Sequence, residues 1–365
     1  MHRWGFVVLA ACGRIGFDPT TTGGGVDAAV SVGDATMANA PCDVPVLIGT
    51  GTVAAPLGAA VGATSYRITW VDGGITVHVL GIERAGDTVT ARELTLTDGD
   101  VGTPLGSDIA IGDATYLLYW NAVQSQISQL IGPELGRARG VATGRQSAIA
   151  FSGGNIYTYD DIGKLYVFVW DESLGLGPFT QVDQQQLLGP GITRSSGGTA
   201  LIVTARPTLK DCTLWAYTAG GTQAGTVVVP ADNTRCDPIS GAYASVDDSA
   251  AVAYGYHGAA ANTIRVQRVS STAQLLGAPV VGADGTEPKL ASSGSHFHLL
   301  YRFTTAPGSF SVATFDSALA RQRDVPLHDP GTPIARATIA SGDAEALAVW
   351  VEAPDQIWMR RLCGP

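Results

Sequence analysis

Two histidines, several paired carboxylates and five cysteines are the side chains of this 365-residue chain whose types and spacing could do chemistry. His296 and His298 stand two positions apart, so on a strand they share one face and could share a metal ion. No third ligand accompanies them, which leaves them weak metal candidates and fits ordinary strand histidines. Asp98-Gly99-Asp100, Asp160-Asp161 and Asp247-Asp248 could in principle hold calcium. None follows the Asp-x-Asp-x-Asp-Gly loop, and aspartate forms turns in its own right. His-Glu-x-x-His, Gly-x-Ser-x-Gly and a phosphate loop ending in Gly-Lys-Ser/Thr are all missing from the sequence. Gly49-Thr50-Gly51-Thr52-Val53-Ala54 has the glycines of a dinucleotide turn without its helix, and reads as a glycine-rich turn. The sequence therefore assigns no catalytic residue and no cofactor.

The N-terminus carries a different signal. Met1-His2-Arg3 precedes the apolar run Trp4 to Leu9, then Ala10-Ala11-Cys12. A basic start, an apolar middle and small residues describe an export signal over residues 1–11. Leu9-Ala10-Ala11-Cys12 resembles the lipobox of bacterial lipoproteins, which implies lipid attachment at Cys12 and anchoring to a membrane. Residues 12–41 are rich in Gly, Thr, Ala and Asp with no sustained period, as suits a flexible tether. The apolar run is far shorter than the roughly 20 residues that span a bilayer. By analogy with enteric lipoproteins, Gly13 offers no inner-membrane retention signal, so the outer membrane is expected, facing the periplasm or the surface. A soluble secreted or periplasmic protein is the alternative.

With Cys12 given to the lipid, Cys42, Cys212, Cys236 and Cys363 form an even set that allows three pairings. Cys42–Cys363 would bracket the folded region, a single domain over residues 42–365, and Cys212–Cys236 would close a short loop. None of the spacings suits a zinc site, whereas disulfides persist outside the cytosol.

Charged residues make up only 15% of the chain and glycines number 46, a balance of all-β exported proteins. The net charge of −10 suits neither nucleic acid nor anionic headgroups. Lysine is limited to Lys164, Lys210 and Lys289.

The elements that would position any site come from a repeat. Trp70, Trp120 and Trp170 lie 50 residues apart, each ending an apolar run. Similar runs recur at Leu201–Thr204, Ala251–Tyr254, His298–Tyr301 and Ala346–Trp350. A turn and a second, alternating segment follow most of them, such as Ile75–Val79, Ile264–Val269 and Phe310–Phe315. The first type reads as a strand buried on both faces and the second as a strand with one wetter face. The period predicts a β-propeller of about seven four-stranded blades between Val61 and Leu362, with six to eight open. Tandem β-sandwich domains are the alternative. Ala148–Tyr159 can hide an extra hairpin, and Val123, Ile127, Leu130 and Ile131 have helical spacing. Val44 to Val53 is expected to close the ring against the last blade, with Cys42–Cys363 across that seam.

In general plan this is similar to propeller lipoproteins of the bacterial envelope, including a component of outer-membrane β-barrel assembly. That similarity covers architecture and anchor alone. It implies a monomeric, non-catalytic binding or scaffold module for an envelope protein or glycan, with no nucleic acid. The other reading is an exported polysaccharide hydrolase or lyase. The Asp-box of sialidase-type propellers is absent, although Ser341-Gly342-Asp343 begins like one. Cys12→Ala should abolish incorporation of a labelled fatty acid in a lipoprotein-processing bacterium, and globomycin should block maturation of the parent chain. Undiminished labelling of the variant would contradict the anchor.

Overall fold

The computed structural model describes residues 42–363 apart from short connecting segments, and for several strands it describes the backbone only. Residues 1–41, with the lipobox and tether, lie outside the described residues, as do Asp98-Gly99-Asp100, Asp161, Asp247 and Asp248.

The named elements are all strands, arranged in seven four-stranded antiparallel sheets. Pro45–Thr50 (β1) belongs to the last of them. The first sheet comprises β2 (Gly58–Val61), β3 (Ser65–Val71), β4 (Thr76–Glu83) and β5 (Val89–Thr95). The second has β6 (Gly106–Ile111), β7 (Thr115–Trp120), β8 (Ser125–Ile131) and β9 (Glu134–Val141). The third has β10 (Gln146–Ser152), β11 (Asn155–Asp160), β12 (Leu165–Asp171) and β13 (Leu176–Asp183). The fourth has β14 (Leu188–Arg194), β15 (Ala200–Arg206), β16 (Asp211–Tyr217) and β17 (Gln223–Val229). The fifth has β18 (Arg235–Tyr243), β19 (Ala250–His257), β20 (Asn262–Val269) and β21 (Leu275–Ala283). The sixth has β22 (Gly285–Ser293), β23 (His296–Phe303), β24 (Phe310–Phe315) and β25 (Arg321–Pro326). The seventh has β26 (Ile334–Ala340), β27 (Glu345–Glu352) and β28 (Gln356–Cys363), with β1 as its outer strand.

In the first six sheets, sequence neighbours pair in order, and consecutive sheets touch through their first strands: β2, β6, β10, β14, β18, β22, β26 and β2 again. The seventh sheet alone borrows a strand from the other end of the chain. There Val46 pairs with Met359 and Leu47 with Trp358, as expected for the segment starting at Val44.

The repeat's apolar runs are the second strands, and their period-2 geometry divides them between two interfaces. On β27, Ala346, Ala348 and Trp350 pack toward the sixth sheet, while Leu347, Val349 and Val351 pack toward the first. Ala250, Val252 and Tyr254 of β19 face the fourth sheet, and Ala251 and Ala253 the sixth. The core is thus spread over the interfaces between sheets.

Three expectations need correcting. The third strands are not uniformly half-wet: β4 is buried from Val77 to Ile82 and β24 throughout, whereas β20 and β28 do alternate buried with partly exposed positions. Their polar residues are buried with partners. Gln267 donates to the carbonyls of Arg268, Leu276 and Gly277, and Ser311 donates to Asp324. Among the described residues the wet strands are the fourth strands β17, β21 and β25. The segment around Ile127 is strand β8, paired on both sides, because alternation with Ser and Gln suits a sheet as well as the helical spacing suits a helix. Trp170 lies on a third strand, β12, whereas Trp70 and Trp120 lie on second strands. Its 50-residue spacing coincides with the repeat because β10 and β11 supply the hidden hairpin before it.

Polar contacts fasten the seventh sheet, where the two ends of the fold meet, to itself and to both of its neighbours. Cys42 and Cys363 are disulfide-bonded, with Cα atoms 5.7 Å apart. Arg323 of β25 donates to both Asp43 oxygens, at 2.5 and 3.0 Å, and to the Cys363 carbonyl at 3.0 Å. Buried Glu345 accepts from Tyr66 of the first sheet and, at 2.7 Å, from Arg361 Nε of its own. A cross-link over so long a loop contributes about 5 kcal/mol in the chain-entropy model and often less. The Cys42→Ser/Cys363→Ser double variant should therefore unfold at a clearly lower urea midpoint, with β1 amides exchanging first. An unchanged midpoint and unchanged β1 protection would show that the bridge carries no stability.

Candidate functional site

The first strands form the inner edge of the ring of sheets, so their side chains are the ones any central site would use. Such strands have one ladder edge unpaired, and its N–H and C=O groups need partners. Two charged side chains supply them. Asp108 of β6 accepts from the Ile109 N–H at 2.9 Å and, across to the next sheet, from the Ile149 N–H of β10 at 3.1 Å. Lys289 of β22 donates from Nζ to the Ala337 carbonyl of β26, again in the next sheet, at 2.7 Å. The two occupy equivalent registers, opposite Leu118 and Leu300, each just before a second-strand tyrosine. Glycine makes room for them: a Cβ at Gly58 of β2 would lie 2.9 Å from both the Asp108 Cα and its Oδ1.

Burial pushes the Asp108 carboxyl up to about 6, against the lowering effect of its two N–H donors and of the Lys289 charge. Burial likewise pushes Lys289 down, opposed by Glu287 and Asp108 and reinforced by Arg336. The pair therefore feels each other's charge, yet each member is tied to backbone on its neighbouring sheet. They act as struts. Chemistry would require them to converge on a common atom.

His298 of β23 is fully buried, with Nε2 2.6 Å from Ser293 Oγ and Nδ1 3.1 Å from Thr314 Oγ1. Both ring nitrogens are thus engaged by hydroxyls. Burial, with the charges of Arg323 and His296, lowers its pKa to about 3. His296 is only partly buried, with Nδ1 3.5 Å from Ser295 Oγ. Among the described residues no group of three His, Cys, Asp or Glu side chains is placed to hold a metal. Cys212 is disulfide-bonded; Cys236, its expected partner, lies among the side chains not described, and Cys12 lies outside the described residues. Ser341-Gly342-Asp343 makes a bridge to Ser293 and takes a hydrogen bond from the Gly294 N–H. Of the segment read as a glycine-rich turn, Gly49 and Thr50 end strand β1, and the Gly51 N–H donates to the Asp355 carbonyl just beyond it.

Asp108 and Lys289 were not singled out by sequence. The one available signal was Lys289 itself, a rare lysine inside a strand-like segment, Gly285-Thr286-Glu287-Pro288-Lys289-Leu290.

No family model matches this chain, and no curated protein is similar to it in sequence. Solved structures do match, 859 chains of them. One, from the crystal structure of a mitotic checkpoint complex, is a WD40-type propeller. It superposes with a TM-score of 0.59 at 10% identity, over 96% of this chain and 99% of that one. At that identity the likeness is one of fold alone.

The two perturbed groups have opposite pH signatures. An unfolded histidine takes up a proton near pH 6.5 and folded His298 only near 3. Its stabilising contribution is complete above 6.5 and is lost as pH falls toward 3, by up to about 1.4 kcal/mol per pH unit. Asp108 binds its proton near 6 when folded and near 3.8 when unfolded. Its contribution is present below 3.8 and is lost as pH rises through 6. The two offset each other between about pH 4 and 6. In urea titrations across that window, Asp108→Asn should lose stability on acidification more steeply than the parent, and His298→Gln less steeply. Parallel curves for all three proteins would contradict both assignments.

Proposed function

We propose that the seven sheets form a closed seven-bladed β-propeller that serves as a lipid-anchored, non-catalytic binding module of the bacterial cell envelope. The observation that carries this reading is the use made of the inner charges. Asp108 and Lys289 are each held by the backbone of the next sheet, which rigidifies the ring and leaves neither poised as an acid, base or nucleophile. A rigid ring carrying loops is a suitable platform for recognition, and loops on such scaffolds are where binding concentrates. The structural neighbour belongs to a protein complex, which agrees with protein recognition as the propeller's role here.

The proposed anchor and the bonded cysteines fit one compartment. A disulfide at Cys42–Cys363 suits an oxidising space outside the cytosol. A tether of residues 13–41 gives a root-mean-square reach of about 30 Å, enough to let the propeller work close to the outer membrane. The partner is an envelope protein or glycan met by loops at one end of the ring, with the protein itself a monomer.

Two measurements on the full lipidated chain test this together. Cross-linking in intact cells followed by affinity purification should return a reproducible envelope partner. Incubation with a panel of envelope and extracellular polysaccharides should release no new reducing ends or unsaturated products. Cleavage that disappears in Asp108→Asn would replace the binding reading with the hydrolase or lyase one.

A further inference from the structure

In six of the seven sheets the first strand can be aligned on one position, the residue paired with the one just before an aromatic on the second strand. In the first, third, fifth and seventh sheets that position holds Gly58, Ile149, Ser240 and Thr338, all uncharged. In the second and sixth it holds Asp108 and Lys289. A neutral residue therefore suffices to build a sheet at this register. The two opposite charges stand there at a cost in desolvation.

Among the described residues neither of them touches a counter-charge. The two Asp108 oxygens each accept one backbone N–H and can each accept a second, and Lys289 has given one of its three hydrogens. The other charges that act on Lys289 are engaged elsewhere. Glu287 lies 3.4 Å from Arg302, and Arg336 donates to the Ala54 carbonyl at 2.7 Å. Crowding by protein raises the Asp108 pKa and lowers that of Lys289, yet each side chain keeps part of its surface exposed.

Their heads also lean toward one place. Asp108 Oδ1 lies over Gly58 of β2, and Lys289 Nζ reaches Ala337 of β26. These strands are neighbours at the inner edge, where the seventh sheet meets the first. At that register they carry Gly58 and Thr338, which put little side-chain volume between the heads.

We infer that Asp108 and Lys289 are the two poles of a site inside the ring for a small zwitterion, with the ligand's ammonium group on Asp108 and its carboxylate on Lys289. Charge-assisted hydrogen bonds at both ends replace the water that the crowded heads have lost. A singly charged ligand satisfies one head and leaves the other unmatched, so the site selects for both groups together. The inference rests on the closed ring proposed above, and on neither the anchor nor the partner held by the loops.

The test is isothermal titration of the full chain at pH 7, where Asp108 is ionised. The probes are glycine, diglycine and triglycine, each beside its N-acetyl and its amide form, which are an anion and a cation of the same length. At least one zwitterion should bind, and its two end-blocked forms at least tenfold more weakly, a comparison that needs no variant. Asp108→Asn should abolish the preference over the N-acetyl form, and Lys289→Met the preference over the amide. No binding by any zwitterion, equal binding of the end-blocked forms, or parental preferences in both variants would overturn the inference. Electron-microscopic class averages of the same sample separate two kinds of failure. A closed ring that ignores the probes sinks this inference alone, whereas an open ring removes the closed-ring reading as well.

Discussion

A stack of sheets arranged in a circle has no natural end, and this molecule depends on how it makes one. The first sheet and the last must bury apolar faces against each other although no covalent continuity brings them together. Pairing of β1 with β28 solves this by taking one strand of the seventh sheet from the opposite end of the chain. The Cys42–Cys363 bridge ties the two ends within that sheet, Asp43–Arg323 ties its N-terminal segment to the sixth sheet, and Tyr66–Glu345–Arg361 ties it to the first. Removing one partner from such a buried charged group leaves the other uncompensated, at a cost of about 3–5 kcal/mol. The polar groups are therefore concentrated where register has to be specified.

Elsewhere the ring is held by repetition. Second strands such as β19 and β27 are buried on both faces and divide their side chains between neighbouring interfaces, so these sheets are both layer and wall. The inner strands receive different treatment, because their free edges would otherwise be left without partners. Asp108 and Lys289 bridge to the next sheet's backbone and convert an edge into a joint.

Much of this was legible in the residues. Runs apolar on both faces, at a near-constant spacing, mark second strands because only a strand between two packed layers can bury both sides. The seam was legible because Cys42 and Cys363 bracket the repeats. The third strands were misread since polar side chains such as Gln267 and Ser311 look wet in sequence, and only tertiary hydrogen bonds show them dry. Trp170 misled through a spacing that hides a whole hairpin. Asp108 and Lys289 were illegible because each finds its partner on another sheet, about 40 to 50 residues away, and nothing local encodes that meeting.

The account stands on closure of the ring by the chain's two ends outside the cytosol. Non-reducing peptide mapping of the protein purified from its native host, with free thiols blocked at lysis, examines this directly. The account predicts that Cys42 is linked to Cys363 at full occupancy, separately from the bridge that holds Cys212. Alkylated, free Cys42 and Cys363, or either one linked to Cys212 or Cys236, would contradict it.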